Sequence, residues 1–231
     1  MTKADNCLNL AGDGDDVDVL YAIEAAFGIK LSDAEALRCA TIGQLFDIVS
    51  SKLSIPEVRN LRCPTALAFL RLRTALRRLG HMPLMTTKTD LRAIFRAHGA
   101  KRLHVSLSIE VDLKLPTLQL HPASTTVLAF ITACGSAVSL WVGSWLPLLG
   151  SAVLAIILGF ALPRTIPQRI ACLGDFAADR AAWNYGRLSD QAGGARRDDV
   201  WKALTTIVRD STGTSFAGEI NHDTGFFAER S

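Results

Sequence analysis

The spacing of apolar residues changes several times along the chain, and each change marks a different element. In VDVLYAIEAAFGI, Val17, Leu20, Ile23 and Phe27 (or Ala26) recur every three or four residues, which predicts an amphipathic helix that Gly28 stops. LSDAEALRCA follows, with Ser32 placed as an N-cap and Glu35 three residues on, the spacing of a capping box. TIGQLFDIVSSKL predicts a third helix from Thr41. PTALAFLRLRTALRRLG puts Phe69, Leu72, Leu76 and Leu79 on one stripe, with Arg71, Arg73, Arg77 and Arg78 mostly beside it. Such a helix can lie on an anionic membrane surface, or it can pack on the preceding helices with its arginines solvated. HVSLSIEVDLKLP alternates strictly through Val105, Leu107, Ile109, Val111, Leu113 and Leu115, a strand signal among helical neighbours, and this leaves its state open.

A long gap in charge then dominates the pattern. From Leu115 to Pro163 there is no Asp, Glu, Lys or Arg, a run of 163 − 115 + 1 = 49 residues in a chain that is 20% charged. A bilayer core of roughly 30 Å needs about twenty helical residues and requires each backbone amide to be satisfied within its own segment. Thr125 to Val142 meets that demand, and so does a second segment from Leu148, extendable to Ile166 past Pro163 and Arg164. Gly143, Ser144 and Pro147 break the two apart, and Trp141 and Trp145 sit at the break, where an indole prefers the headgroup level. The reading is a transmembrane hairpin. Two alternatives are a buried hairpin in a soluble core, which would need partner helices with comparable apolar faces, and a monotopic loop that enters and leaves one leaflet. Ala133, Gly135, Ser136, Ser139, Gly150, Ser151 and Ala152 would let the two helices approach closely, or serve merely as filler.

Composition agrees with the membrane reading: 49% of the 231 residues are hydrophobic. The net charge of +3 is small, but its distribution is not even. An acidic start (Asp5, Asp13, Asp15, Asp16, Asp18) gives way to Arg59, Arg62, Arg71, Arg73, Arg77, Arg78, Arg92, Arg96, Lys101 and Arg102 ahead of the apolar run. Arg164 and Arg169 follow that run, and the turn within it carries no charge, so both ends are expected in the cytoplasm. The first twenty residues lack the basic and apolar regions of a secretory signal, which fits the same side. Five widely spaced cysteines, with no C-x-x-C pair, are expected to be reduced thiols.

Around AAFGIKLSDAEA and TIGQLFDIV the chain resembles the acyl carrier protein family, in which a long second helix ends in an aromatic residue and Gly, followed by a short acidic helix and a T-[VI]-G-x-[LF] helix start. The resemblance covers about residues 12 to 53 and implies an all-α, carrier-like helical bundle. A working carrier holds its phosphopantetheine arm on a serine at the start of that second helix. Here LAGDGDD stands there, with Asp13 or Gly14 at the serine position, so covalent carriage is not expected. The same pattern looks like that of uncharacterised bacterial carrier-like proteins in which Gly-Asp-Asp replaces the serine motif. Near the other end, DDVWKALTTIVRDSTG and GEINHDTGFFAE are similar to a carrier's first helix and following loop, with Val200, Leu204 and Ile207 as the helix stripe. That similarity implies a permuted carrier-like fold in which residues about 198 to 231 dock on residues about 8 to 56. A domain-swapped dimer would pair the same surfaces.

No Gly-rich phosphate loop, Ser-His-Asp order or H-E-x-x-H motif is present. Asp13, Asp15 and Glu24 have the spacing of EF-hand positions one, three and twelve, but Val17 and Asp18 occupy positions five and six, which rules against a calcium loop. The acids are better read as groups capping a helix N-terminus. His222-Asp223 reads as a turn. The expectation is therefore four regions: carrier-like helices in 1–56, a basic helical juxtamembrane region in 57–121, the transmembrane hairpin in 122–167 and a C-terminal helical region in 168–231. The expected protein is non-enzymatic, with no catalytic, cofactor or metal residues. Its partners would be the lipid bilayer and a protein meeting Asp13, Gly14, Asp15 and Asp16, with no nucleic acid and with oligomers possible. The competing expectation is a membrane-active hairpin that assembles into oligomers or pores.

Overall fold

The computed structural model describes residues 6–8, 10, 15–56, 61–80, 84–212 and 218–227. Among the described residues the chain is 65% helical and its strands amount to two dipeptides, so the fold class is all-α. In order the helices are α1 (Asp15–Phe27), α2 (Asp33–Ala36), α3 (Ile42–Lys52), α4 (Pro64–Arg78), α5 (Leu91–His98), α6 (Ala100–Glu110), α7 (Pro122–Val142), α8 (Leu146–Ala161), α9 (Leu173–Trp183), α10 (Tyr185–Ala192) and α11 (Arg197–Ser211).

Local chemistry sets the element ends. Gly28 takes φ 67° after α1, the left-handed conformation that closes a helix at least cost in glycine. Ser32 and Glu35 make the reciprocal capping box at α2, and Thr41 and Gln44 make another at α3. At α9 the same arrangement uses Cys172 and Asp175.

The two ends of the chain share one hydrophobic core. Val19, Ile23 and Phe27 of α1 and Ile42, Leu45, Phe46 and Val49 of α3 pack with Val200, Leu204 and Ile207 of α11 and with Ile220 and Phe226. Backbone hydrogen bonds lock the same pieces together. Leu8 N donates to Gly225 O at 2.8 Å, Ile42 N to Thr224 O at 2.9 Å and Gly43 N to His222 O at 3.0 Å. Thr224 is fully buried between them and donates its hydroxyl to Asn6 Oδ1 at 2.9 Å. His222 lies flat on Trp201, ring centroids 4.1 Å apart, while Asp223 N donates to the Asn221 side chain, the turn that the sequence suggests.

A second core gathers α4, α5 and α6 with α9, centred on Leu72, Leu76, Phe95, Leu107, Ile166, Ile170 and Phe176. Helices α9 and α10 form the wall between the two. Phe176, Ala177, Ala181 and Leu188 face the second core, and Ala182 and Tyr185 face the first. α10 comes so close to the end of α1 that a Cβ on Gly186 would overlap the Phe27 carbonyl.

Helices α7 and α8 leave this body as an antiparallel pair. Gly135 of α7 meets Ser151 of α8 with no room for a side chain between them. Gly143 ends α7 with φ 68°, and Pro147 falls in the first turn of α8, where its missing amide costs nothing. At the base, β1 (Gln119–Leu120) pairs antiparallel with β2 (Arg164–Thr165), and His121 N donates to Pro163 O at 3.1 Å. The outgoing and returning chains are thus clamped side by side.

One expectation needs correction, and two points that the sequence leaves open take a definite form. The second apolar segment does not extend to Ile166. Leu162, forced out of the helical region by Pro163, has ψ 150°, and Ile166 is buried in the second core. Residues 103–110 form helix, not strand, because Leu103 and Leu107, four apart, fall on one buried face with Val111 close behind, while Val105 and Ile109 fall on the exposed one. A strict alternation always contains two such i, i+4 stripes. Finally, the main packing of α4 is on the helices that follow the hairpin. It packs on α9 and α10, burying Ala68, Leu72, Ala75 and Leu76, and Arg71 and Arg78 reach Gln191 and Glu110.

The shared core of the two ends makes a direct prediction. Leu204→Ala should lower stability by about 2–5 kcal/mol, the range for truncating a buried leucine, and should reduce hydrogen-exchange protection in α1 as well as α11. Unchanged protection in α1 would show that the ends do not unfold as one unit.

Candidate functional site

Two surfaces stand out from the body, and each exposes large apolar side chains. The larger is the α7–α8 hairpin. Only 6% of the most apolar window of α7 is buried, and along the pair Phe130, Leu140, Trp141, Trp145, Leu146, Ile156, Ile157 and Phe160 are all exposed. α7 is long and apolar enough to cross a membrane, and α8 is a shorter apolar helix. Thr125, Thr126, Thr132 and Ser136 return their hydroxyls to backbone carbonyls one turn back, as Thr132 Oγ1 does to Ala129 O at 2.9 Å and Ser136 Oγ to Thr132 O at 2.9 Å, while Ser139 donates to Ser144 O in the turn. These hydroxyls are therefore satisfied within the hairpin.

The second surface is an apolar groove of about 540 Å³ between α1, α2 and the C-terminal segment. Val17, Leu20 and Tyr21 of α1 form one side, Leu31, Leu37 and Cys39 the other, and Phe226 and Phe227 close one end. Leu37 is 89% exposed on its rim, an apolar side chain left nearly bare. The groove has a rigid frame. Glu24 accepts the Leu31 amide at 2.6 Å and Lys30 Nζ at 3.0 Å, which fixes the chain as it turns from α1 to α2. That amide bond, with Lys30 beside it, holds the Glu24 carboxyl below the usual carboxylate range. On α2, Glu35 accepts from Lys52 Nζ at 2.8 Å, Ser32 N at 2.8 Å and Ser32 Oγ at 2.9 Å.

Of the residues singled out as a partner contact, Asp15 and Asp16 are the first two residues of α1, ahead of Val17, which lines this groove. Asp13 and Gly14 lie outside the described residues. All five cysteines are free thiols, and desolvation raises the thiol pKa of Cys39 on the groove wall. Among the described residues no three of His, Cys, Asp and Glu gather closely enough to hold a metal ion.

An ionic network between the cores escaped sequence reasoning. Arg180 donates to Asp179 and to Lys114 O at 2.9 Å, Arg169 bridges Asp179 and Asp210, and Trp183 Nε1 donates to Asp210 at 3.1 Å. Asp179 and Arg180 are both buried, and each is paired and hydrogen-bonded, which is the condition for tolerating a charge inside. The network joins α9 and α11 to the chain on either side of the hairpin. Its only trace in the sequence is a DR pair inside an alanine-rich helix. The groove was equally hidden, since its walls lie at opposite ends of the chain.

No protein-family model matches this chain, no curated protein matches it and no solved structure matches it.

The frame of the groove predicts a response to acid. Lys52, with Ser32, lowers the Glu35 pKa from 4.5 to about 2, so the folded state binds this proton more weakly than the unfolded chain. The stabilisation is complete above about pH 4.5 and fades as the pH falls towards about 2. Hydrogen exchange of the α2 amides should therefore accelerate over that range, and Glu35→Gln should exchange faster at neutral pH with a flatter pH response. An identical acid response in the variant would remove Glu35 from this role.

Proposed function

We propose that this protein is a membrane-anchored, non-enzymatic interaction module, held in the bilayer by the α7–α8 hairpin and offering the groove beside the start of α1 to a protein partner. The observation that carries the anchor is the hairpin's uncovered surface. A helix that is apolar and left unburied by its own molecule belongs in a medium without water. At 1.5 Å per residue, α7 extends about 32 Å and α8 about 24 Å, so the pair reaches across a core of roughly 30 Å with modest local thinning along the shorter helix. Trp141 and Trp145, 88% and 65% exposed, then sit at the far interface. Arg96, Lys101, Arg102 and Lys114 precede the hairpin and Arg164 and Arg169 follow it, which supports two crossings with both ends on the cytoplasmic side.

The carrier-like reading draws on the order and packing of α1, α2 and α3 with α11 and the 220–226 segment, the arrangement expected of a permuted carrier-like bundle. Asp13 and Gly14 supply no hydroxyl where a carrier holds its arm, so partner recognition rests on the shape of the groove and the acidity at the start of α1. Val17, Tyr21 and Leu37 offer the apolar contact that a partner side chain would bury. Gly135 and Ser151 meet each other inside the hairpin, which favours an anchor over a pore, since that close-packing pair is already used within one molecule.

The anchor predicts that the full-length protein remains in the membrane pellet after alkaline carbonate washing. Because Leu120 and Arg164 are paired at the base, a short turn can replace residues 121–163, and that shortened protein should appear in the wash. Release of the full-length protein would sink the anchoring. The absent serine predicts that a broad-specificity phosphopantetheinyl transferase with coenzyme A leaves the intact mass unchanged, and a gain of one arm would refute non-covalent action.

A further inference from the structure

At the foot of the hairpin lies a cavity of about 580 Å³ that neither the anchor nor the groove accounts for. The end of α5 and the Gly99–Ala100 corner form one wall, and the other follows the chain where it enters the hairpin at His121 and Pro122 and leaves it from Pro163 to Gln168. Three arginines line it, Arg92, Arg96 and Arg164, and no carboxylate does. Arg92 is committed to structure, donating from Nε to Ile170 O at 3.0 Å and from Nη2 to Gln168 O. Arg96 and Arg164 are not. The Arg96 side chain is exposed and makes no hydrogen bond or ion pair with any described residue. Arg164 Nε is buried with no hydrogen-bond partner, although a buried guanidinium N–H without an acceptor is costly. Its backbone is fixed by the pairing of β2 with β1 opposite Leu120, so the side chain is held at this position. Asp175, the acid whose charge interacts with Arg92, is already engaged by the Ala171 and Cys172 amides at 3.2 and 3.1 Å.

We infer that this cavity binds the phosphate of an anionic phospholipid, seated by Arg96 and Arg164. The chemistry fits because a guanidinium presents several N–H donors in a plane matched to phosphate oxygens. A lipid source fits because the cavity lies where the apolar hairpin emerges. Pro122 and Pro163 bound it, and the exposed Phe160 and Val127 stand within a turn or two along the two helices, where acyl chains would lie. Lys101, one residue beyond the lining, donates to Phe160 O at 2.7 Å and adds positive charge at the same level. An occupant of this kind would pair with the part of the Arg164 guanidinium that lines the cavity and tie the helical body to one leaflet of the bilayer.

This inference rests on the anchoring proposed above, and the test separates the two. Full-length protein is reconstituted in nanodiscs holding equal amounts of phosphatidylcholine and phosphatidylglycerol, then released and read by native mass spectrometry for retained lipid. Wild type should retain phosphatidylglycerol in preference. Arg96→Gln, which alters an exposed side chain with no described partner and so spares the fold, should reduce that preference by about fivefold, the effect of one basic residue near an anionic surface. Arg96→Gln with Arg164→Gln should abolish it, and Arg38→Gln, at an exposed residue after α2 that does not line the cavity, should leave it intact. Incorporation with equal retention of both lipids, or a preference untouched by the double variant, would overturn the lipid site and leave the anchor standing. Displacement of the retained phosphatidylglycerol by submillimolar inorganic phosphate would reassign the cavity to free phosphate and overturn the lipid source. Failure of wild type to enter the nanodiscs would overturn the anchor, and this site with it.

Discussion

An apolar helix pair that its own molecule leaves uncovered is the constraint around which the rest of this protein is arranged. Apolar surface of this extent is driven out of water, and the backbone inside it must close its own hydrogen bonds. α7 and α8 do so as continuous helices, with Ser and Thr hydroxyls turned back onto carbonyls. A hairpin also returns the chain to where it started. The β1–β2 pairing between Leu120 and Arg164 makes that return a fixed point, and both flanking segments enter the second core directly from it through Leu113 and Ile166.

That return is what allows the two ends of the chain to build one core. α11 can complete the packing of α1 and α3 only if the chain comes back to their side, and a hairpin that leaves and returns at one clamped base supplies this. The wall of α9 and α10 between the cores then has to be buried on several sides at once. Alanines make the close packing possible, and the Asp179–Arg180–Arg169–Asp210 network carries the charge that remains inside. Gly186 shows how tight the fit is, with the Phe27 carbonyl where its Cβ would be.

Features encoded by neighbours in sequence were legible without a structure. Ser32 and Glu35 announce their helix start, Gly143 its helix end, and the uncharged run its hairpin, because each signal sits within a few residues of the backbone it governs. The stripe of Val200, Leu204 and Ile207 pointed to a buried face, which packs on α1 and α3. Where several arrangements satisfy the same pattern, reading the sequence fell short. Leu103, Leu107 and Val111 belong to an alternating run and to a helical stripe equally well, and only the second core against which they are buried decides between them. The apolar stripe of α4 could not name α9 as its partner. The groove joins Val17 and Leu37 to Phe226 across nearly the whole chain, so no window of sequence contains it.

Tryptophan fluorescence in lipids brominated on the acyl chains near the headgroup tests the central claim most directly. Trp141 and Trp145 lie at the hairpin tip, and the other two tryptophans, Trp183 and Trp201, lie in the helical body. The account predicts strong quenching of the wild-type protein in such vesicles and little in a variant with Trp141→Phe and Trp145→Phe. Equal quenching of the two proteins, or none in either, would contradict a hairpin whose tip reaches the lipid.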